Sequence, residues 1–136
     1  MTELPAETEV VIDAPRFSYV KRRDSGRIDF VSPLPCPFNY GSVPGTVSGD
    51  GDRVDAVVLG ARLPRHTYVR VRVRGFVRFI DAGQDDPKWI CSHAQLRALD
   101  RMQLAAFFAL YAVAKRALNR VRGKRGATHY DGLSLR

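Results

Sequence analysis

Asp50, Asp52 and Asp55 fall within one hexapeptide, "DGDRVD", directly before the apolar run "AVVL". Along an extended chain alternate side chains share a face, and Gly51 lets the backbone turn, so three carboxylates can converge on one small volume. Carboxylates held that close repel one another unless cations sit among them. Oxygen-only donors favour hard ions, Mg²⁺ before Zn²⁺. An EF-hand loop is excluded, because Asp55 stands at the sixth position, where Gly is needed, and Ala61 at the twelfth, where Glu is needed. Alone, the hexapeptide also reads as an Asp-Gly turn with solvated acids. A second acidic stretch, "DAGQDDPK" from Asp81 to Lys88, alters that reading by presenting carboxylates again at a strand end. Two such clusters facing each other across a barrel mouth can hold more than one Mg²⁺. Metal ions about 3.5–4 Å apart are a recurring arrangement for displacement at phosphorus.

The rest of the chain must position these groups. Its 136 residues, 45% hydrophobic and 26% charged, suffice for one hydrophobic core and predict a single domain over 1–136, with loose ends at 1–8 and 124–136. Lys and Arg number 22 against 14 Asp and Glu, a net charge of +8, which attracts phosphate as nucleic acid, nucleotide or a small phosphorylated anion. The N-terminal "MTELPAETEV" is acidic and lacks the basic and apolar regions of a secretory signal. No apolar run approaches the roughly 20 residues of a membrane span. Cys36 and Cys91 lack metal-ligand spacing, which predicts reduced thiols in a cytoplasmic protein away from membranes.

From Glu9 to Cys91 the pattern is mostly that of strands. "EVVID" and "RIDFV" are β-branched or aromatic, "DAVVLG" is a buried-type run, and "TYVRVRVRGFVRFI" alternates strictly. Turn clusters separate them, among them the proline-rich "SPLPCPFNYGSVPG". Several short strands with regular turns predict a small barrel. After Cys91 the period changes. Ser92 with Gln95, and Asp100 with Gln103, have capping-box spacing, and Leu104, Phe107, Phe108, Tyr111, Val113 and Leu118 follow at helical intervals. The pattern predicts a helix from about Arg101 to Arg122, ended by Gly123.

"EVVIDAP", "FNYGSVPGT", "DGDRVD", "DAGQDDPK" and "FFALY", in this order, resemble the soluble family I inorganic pyrophosphatases over Glu9 to Lys115. "DGDRVD" carries the most specific part of the resemblance. The resemblance implies an α+β, mainly β fold, a five-stranded OB-like closed barrel with C-terminal helices packed on it, assembled as a homo-oligomer. It implies that Asp50, Asp55, Asp81 and Asp86 are metal ligands for Mg²⁺, with Mn²⁺ as a substitute. Asp52 matches the acid that takes a proton from the attacking water. Lys21, Tyr40, Lys88 and Tyr111 match phosphate-binding positions, and Asp13 stands where the family usually has a site Glu. The implied reaction is hydrolysis of inorganic pyrophosphate to two phosphates.

The sequence also departs from that pattern. The segment between Gly26 and Asn39 is contracted, and an Arg that contacts substrate phosphate has no clear counterpart there. Arg23 stands in place of a metal-binding Glu, Ala82 in place of another Glu, and Ala112 where a Lys follows the helix Tyr. These losses leave open a different phosphoanhydride substrate, such as a nucleotide or short polyphosphate, or a catalytically degraded barrel that binds phosphate or nucleic acid. Nucleic acid is the less favoured partner, because "VRVRVRGFVRF" offers cations with little aromatic interleaving. Arg23 is two residues beyond Lys21 and shares its face in a strand, and Lys115 is one helical turn beyond Tyr111. Arg23 and Lys115 are therefore the expected replacements for the missing phosphate clamps.

Overall fold

The computed structural model describes residues 4–18, 20–22, 28–31, 36–49 and 51–136, with 20–22 and 28–31 described by backbone alone. The alternating, β-branched stretches form the expected strands: β1 (Glu7–Ala14), β3 (Ile28–Val31), β5 (Asp55–Val58) and the 14-residue β6 (Tyr68–Asp81). Five further strands complete the set: β2 (Val20–Arg22), β4 (Asn39–Ser42), β7 (Gln84–Asp85), β8 (Lys88–Cys91) and β9 (His129–Leu135).

Pairing closes five of them into a ring. β1 lies antiparallel to β4 (Val11↔Ser42), β4 to β5 (Ser42↔Asp55), β8 to β6 (Val77↔Lys88), and β6 back to β1 (Val11↔Tyr68), while β5 runs parallel to β8 (Asp55↔Lys88). This is the expected five-stranded closed barrel, and closure leaves its strands without a shared open edge. The length of β6 makes it possible. Its first half pairs with β1; beyond a register shift between Val73 and Gly75, its second half pairs with β8 on one side and β9 on the other. The strands β2 and β3 form a separate hairpin pair.

Strand alternation splits the core. Ala56 and Val58 point with Val10, Ile12, Val71 and Val73 into one cluster. Val57 points the other way, to join Phe38, Val77, Phe79 and Ile90 under the helix. That helix, α1 (Ala98–Val121), buries Leu104, Phe107, Phe108, Tyr111 and Ala112, the narrow stripe of a helix packed on one face. Phe107 stacks on Tyr111 at 5.8 Å, and Phe79 reaches Tyr111 at 5.6 Å from across the sheet. Burying each such ring contributes about 1.5–3 kcal/mol.

Three expectations are corrected. The barrel carries one helix among the described residues, rather than helices. It begins at Ala98, not near Arg101, because Asp100 acts from inside the first turn: its Oδ2 accepts from the Arg97 backbone N–H at 2.8 Å. The ends are not loose as far as they are described. β1 starts at Glu7, paired with Arg72, and 129–135 continue the sheet beside β6, where Gly75↔Leu135 and Ile80↔His129 complete the edge that β1 leaves open.

The helix start yields a first prediction. The side chain of Arg97 also bonds Asp100, which holds the Asp100 carboxyl below the usual aspartate range. A depressed folded pKa means the contribution is present above the unfolded pKa of about 3.9 and is lost as pH falls through the lower folded value. Asp100→Ala is expected to lower stability by about 0.5–1 kcal/mol at pH 7, the typical value of a cap. In urea titrations the difference should shrink as pH falls below about 3.9.

Candidate active site

The register of the barrel brings the two acidic stretches to one end. Asp55 opens β5 opposite Lys88, which opens β8, and Asp81 closes β6. The loop preceding Asp50 lies against the second stretch, where a Cβ at Gly49 would stand 2.7 Å from the Asp85 carbonyl oxygen. Only glycine permits that approach.

Lys88 is the centre of the cluster. Its side chain is almost wholly buried, and its ammonium donates to Asp86 Oδ2 at 2.7 Å and to Asp55 Oδ2 at 2.9 Å, above the face of the Phe79 ring. Tyr40 on β4 donates its hydroxyl to the same Asp55 oxygen at 3.1 Å. Burial by itself would lower the lysine pKa, but Asp55, Tyr40 and Asp86 together outweigh it and hold the ammonium well above the usual lysine range. Burial, reinforced by Asp55, pushes the Tyr40 phenol up, and burial with Asp55, Asp86 and Asp81 pushes up Tyr111 against the opposing pull of Lys88. Both phenols therefore stay protonated at neutral pH and act as hydrogen-bond donors. The charges that bear on Tyr111 are those of both acidic stretches, so this helix residue, buried with the core aromatics, also marks where they converge.

Asp81 is held differently. Lys115 on α1 approaches its Oδ2 at 3.7 Å, and Asn119, one helical turn further on, donates Nδ2 to its Oδ1 at 2.7 Å. The Lys115 ammonium is pushed down by burial and partly restored by Asp81.

The other expected site residues fall in several places. Asp52 is exposed in the turn where Ser48 N–H donates to the Asp52 carbonyl. Asp13 is buried on β1. Lys21 lies on β2, whose side chains are outside the described residues, as are Asp50 and Arg23 entirely. The sequence reading missed Asn119 and its partner Thr128. The signal was present, since Tyr111, Lys115 and Asn119 recur every four residues and so share one helical face.

The carboxylates Asp55, Asp81 and Asp86 supply only oxygen, and an ionised carboxylate can accept at about four lone-pair positions. Asp55 and Asp86 are already drawn to one cation, so their Oδ2 atoms lie no further apart than their two bonds to Lys88 combined. Such a donor set fits a hard divalent ion. Among the described residues no three His, Cys, Asp or Glu side chains come close enough together to hold a metal ion by themselves, so a cation here would need further oxygen donors. Away from this end, Arg70 and Arg72 are exposed on the barrel wall, Arg70 pairs with Glu7 at 3.4 Å, and Arg74 bonds the Ser92 and His93 carbonyls.

Comparison with known proteins agrees with this geometry. A family model described as inorganic pyrophosphatase matches residues 3–127. The inorganic pyrophosphatase of Gluconobacter oxydans is 36% identical over 97 residues, covering 65% of this chain and 56% of that protein. That of Xanthomonas campestris is 41% identical over 95 residues, covering 62% and 53%. The chain thus matches little more than half the length of these curated relatives. The crystal structure of inorganic pyrophosphatase from Thermus thermophilus superposes with a TM-score of 0.75 at 28% identity, covering 100% of this chain and 86% of that one. The Helicobacter pylori enzyme, at 23% identity and a TM-score of 0.76, shows likeness of fold, covering 99% and 89%.

Proposed function

The chain belongs to the inorganic pyrophosphatase family, and on that premise we propose that it hydrolyses inorganic pyrophosphate to two phosphates with Mg²⁺, or Mn²⁺ in its place. The observation that carries this reading is the buried Lys88 ammonium between Asp55 and Asp86, beside Tyr40 and Tyr111. It combines anionic oxygens for a cation with fixed donors for an anion in one small volume. In this reading Asp50, Asp55, Asp81 and Asp86 hold the metal and Asp13 supports the site. Bound there, a divalent cation neutralises the diphosphate and makes water more acidic.

The chain's own groups do the rest. Asp52, exposed in the turn before β5, takes the proton of the attacking water as general base. Lys88 stays charged and keeps one N–H beyond its two carboxylate bonds, and Tyr111 stays protonated, so both offer a hydrogen to the outer oxygens of the anion and to the leaving phosphate as charge builds on it; Tyr40 would join them once Asp55 turned from its hydroxyl to a bound cation. Lys21, Arg23 and Lys115 complete the clamp, Arg23 and Lys115 taking the places of cations that the family has elsewhere. Lys115 is suited to this because it lies one helical turn beyond Tyr111 and stands beside Asp81.

The substrate assignment is tested with a panel of pyrophosphate, tripolyphosphate and ATP at equal free Mg²⁺. Pyrophosphate is expected to have the highest kcat/KM by a wide margin. If tripolyphosphate or ATP exceeds it, the site acts on another phosphoanhydride. Lys115→Ala is expected to lower kcat/KM for pyrophosphate by roughly ten- to a hundredfold, the loss of about 1.5–3 kcal/mol of charge-assisted binding. A change within twofold would remove Lys115 from the clamp.

We further propose that the chain acts as one domain in the cytoplasm and as a homo-oligomer. Among the described residues no helix is long and apolar enough to cross a membrane. The outer face of α1 exposes Leu99, Met102, Leu110 and Val113, an apolar stripe suited to a second copy. Light scattering on the purified chain should give a mass above 15.2 kDa.

A further inference from the structure

Asn119 lies in the last turns of α1 with only 4% of its surface exposed. Asn is a weak helix former, and a buried amide is unfavourable unless it is bonded. Its Nδ2 donates to Asp81 Oδ1 at 2.7 Å and to Thr128 Oγ1 at 2.9 Å, while its own Oδ1 is buried with no hydrogen-bond partner. A side chain selected for packing alone would avoid that unmet acceptor, so the two donated bonds are what its presence serves.

Those bonds belong to a brace around one residue. Thr128 Oγ1 also accepts from the backbone N–H of Ala82, directly after Asp81, at 3.0 Å. Gly83 N–H donates to the Ala127 carbonyl at 2.8 Å. Ala82 holds a left-handed conformation with φ of 50°, and Gly126 passes so close that a Cβ there would be 2.6 Å from the Ala82 carbonyl. The Thr128 carbonyl in turn accepts from Arg116 on α1 at 3.0 and 3.1 Å. Residues 126–128 thus fix the backbone beyond Asp81, and Asn119 fixes its carboxylate.

We propose that Asn119, held by Thr128, is a positioning residue that aims the Asp81 carboxylate at a divalent cation. The proposal rests on the reading of Asp81 as a metal ligand. A neutral amide suits this role, because it orients the carboxylate without adding a second positive charge to that of Lys115 at 3.7 Å. Partners of this kind around ligating carboxylates typically change metal affinity by about 10- to 100-fold when lost.

The test is Mn²⁺ binding to the metal-free chain without substrate, followed by the electron paramagnetic resonance of free Mn²⁺. Asn119→Leu, of similar size and unable to donate, is expected to weaken at least one bound Mn²⁺ by about tenfold or more. Saturating Mn²⁺ should then restore kcat for pyrophosphate to within about threefold of the parent. Thr128→Val is expected to weaken Mn²⁺ binding in the same direction and Thr128→Ser, which keeps the hydroxyl, to retain it. This pair decides the matter if Asn119→Leu does not fold. Mn²⁺ affinity within twofold of the parent in both Asn119→Leu and Thr128→Val overturns the proposal, as does a parent that binds no Mn²⁺. A parent that binds Mn²⁺, loses affinity with Asn119→Leu, and yet releases no phosphate would support the positioning role and sink the proposed activity alone.

Discussion

Lys88→Met is expected to destabilise the chain by about 3–5 kcal/mol, the loss that follows when one partner of a buried ion pair is removed and the other charges stay behind. Lys88 is 2% exposed, and its ammonium holds two carboxylates at once. Methionine fills much the same volume, so the loss reports charge and not a cavity. The raised folded pKa of Lys88 means its stabilising contribution is fully present below the unfolded lysine value of about 10.4 and is lost only as pH rises through the higher folded value. The deficit should therefore be complete at pH 7. It should shrink as pH falls, because carboxylates left buried without their cation take up protons more readily than solvated ones. Urea denaturation at pH 7 and pH 3.5 measures both. A loss under 1 kcal/mol at pH 7 would mean that the ammonium is not what holds the two acids together.

Asp52→Asn should behave in the opposite way. The residue is exposed, and any surface contact of its carboxylate is worth little, so replacement by the similarly sized Asn is expected to change stability by no more than about 1 kcal/mol. Turnover of pyrophosphate should fall by about 10²- to 10⁴-fold, the usual contribution of a positioned general base. KM should move little, because the amide keeps the size of the carboxylate and is not assigned a substrate contact. If kcat stays within tenfold of the parent, Asp52 is not the base.

The two variants separate what was legible in the sequence from what was not. Strict alternation in "TYVRVRVRGFVRFI" marked β6, and the 104, 107, 108, 111 spacing marked the buried face of α1, because each pattern follows from one element burying one side. β4 escaped notice because "NYGS" has no β-branched residue; its pairing with β1 and β5 supplies what local propensity does not. β9 read as a basic tail because only the open edge of β6 makes "HYDGLSL" a strand.

The acids of the site were legible as types and spacing. That Lys88 would be buried among them, and not merely beside them, depended on the parallel register of β5 and β8, a long-range pairing that no local pattern encodes. Asn119 was overlooked for a related reason: its partners, Asp81 and Thr128, meet it only after the helix and the following loop have folded over the end of β6.

Hydrolysis of pyrophosphate by this cluster is the proposed reaction on which the residue roles depend. Phosphorus NMR of the purified chain with pyrophosphate and Mg²⁺ tests it directly, beside the same chain in excess chelator and beside Asp52→Asn. Each pyrophosphate is expected to be converted to two orthophosphates in the parent sample, with no appreciable conversion in chelator and a rate about 10²- to 10⁴-fold slower in Asp52→Asn. Pyrophosphate that persists in the parent sample as long as in the other two would contradict it.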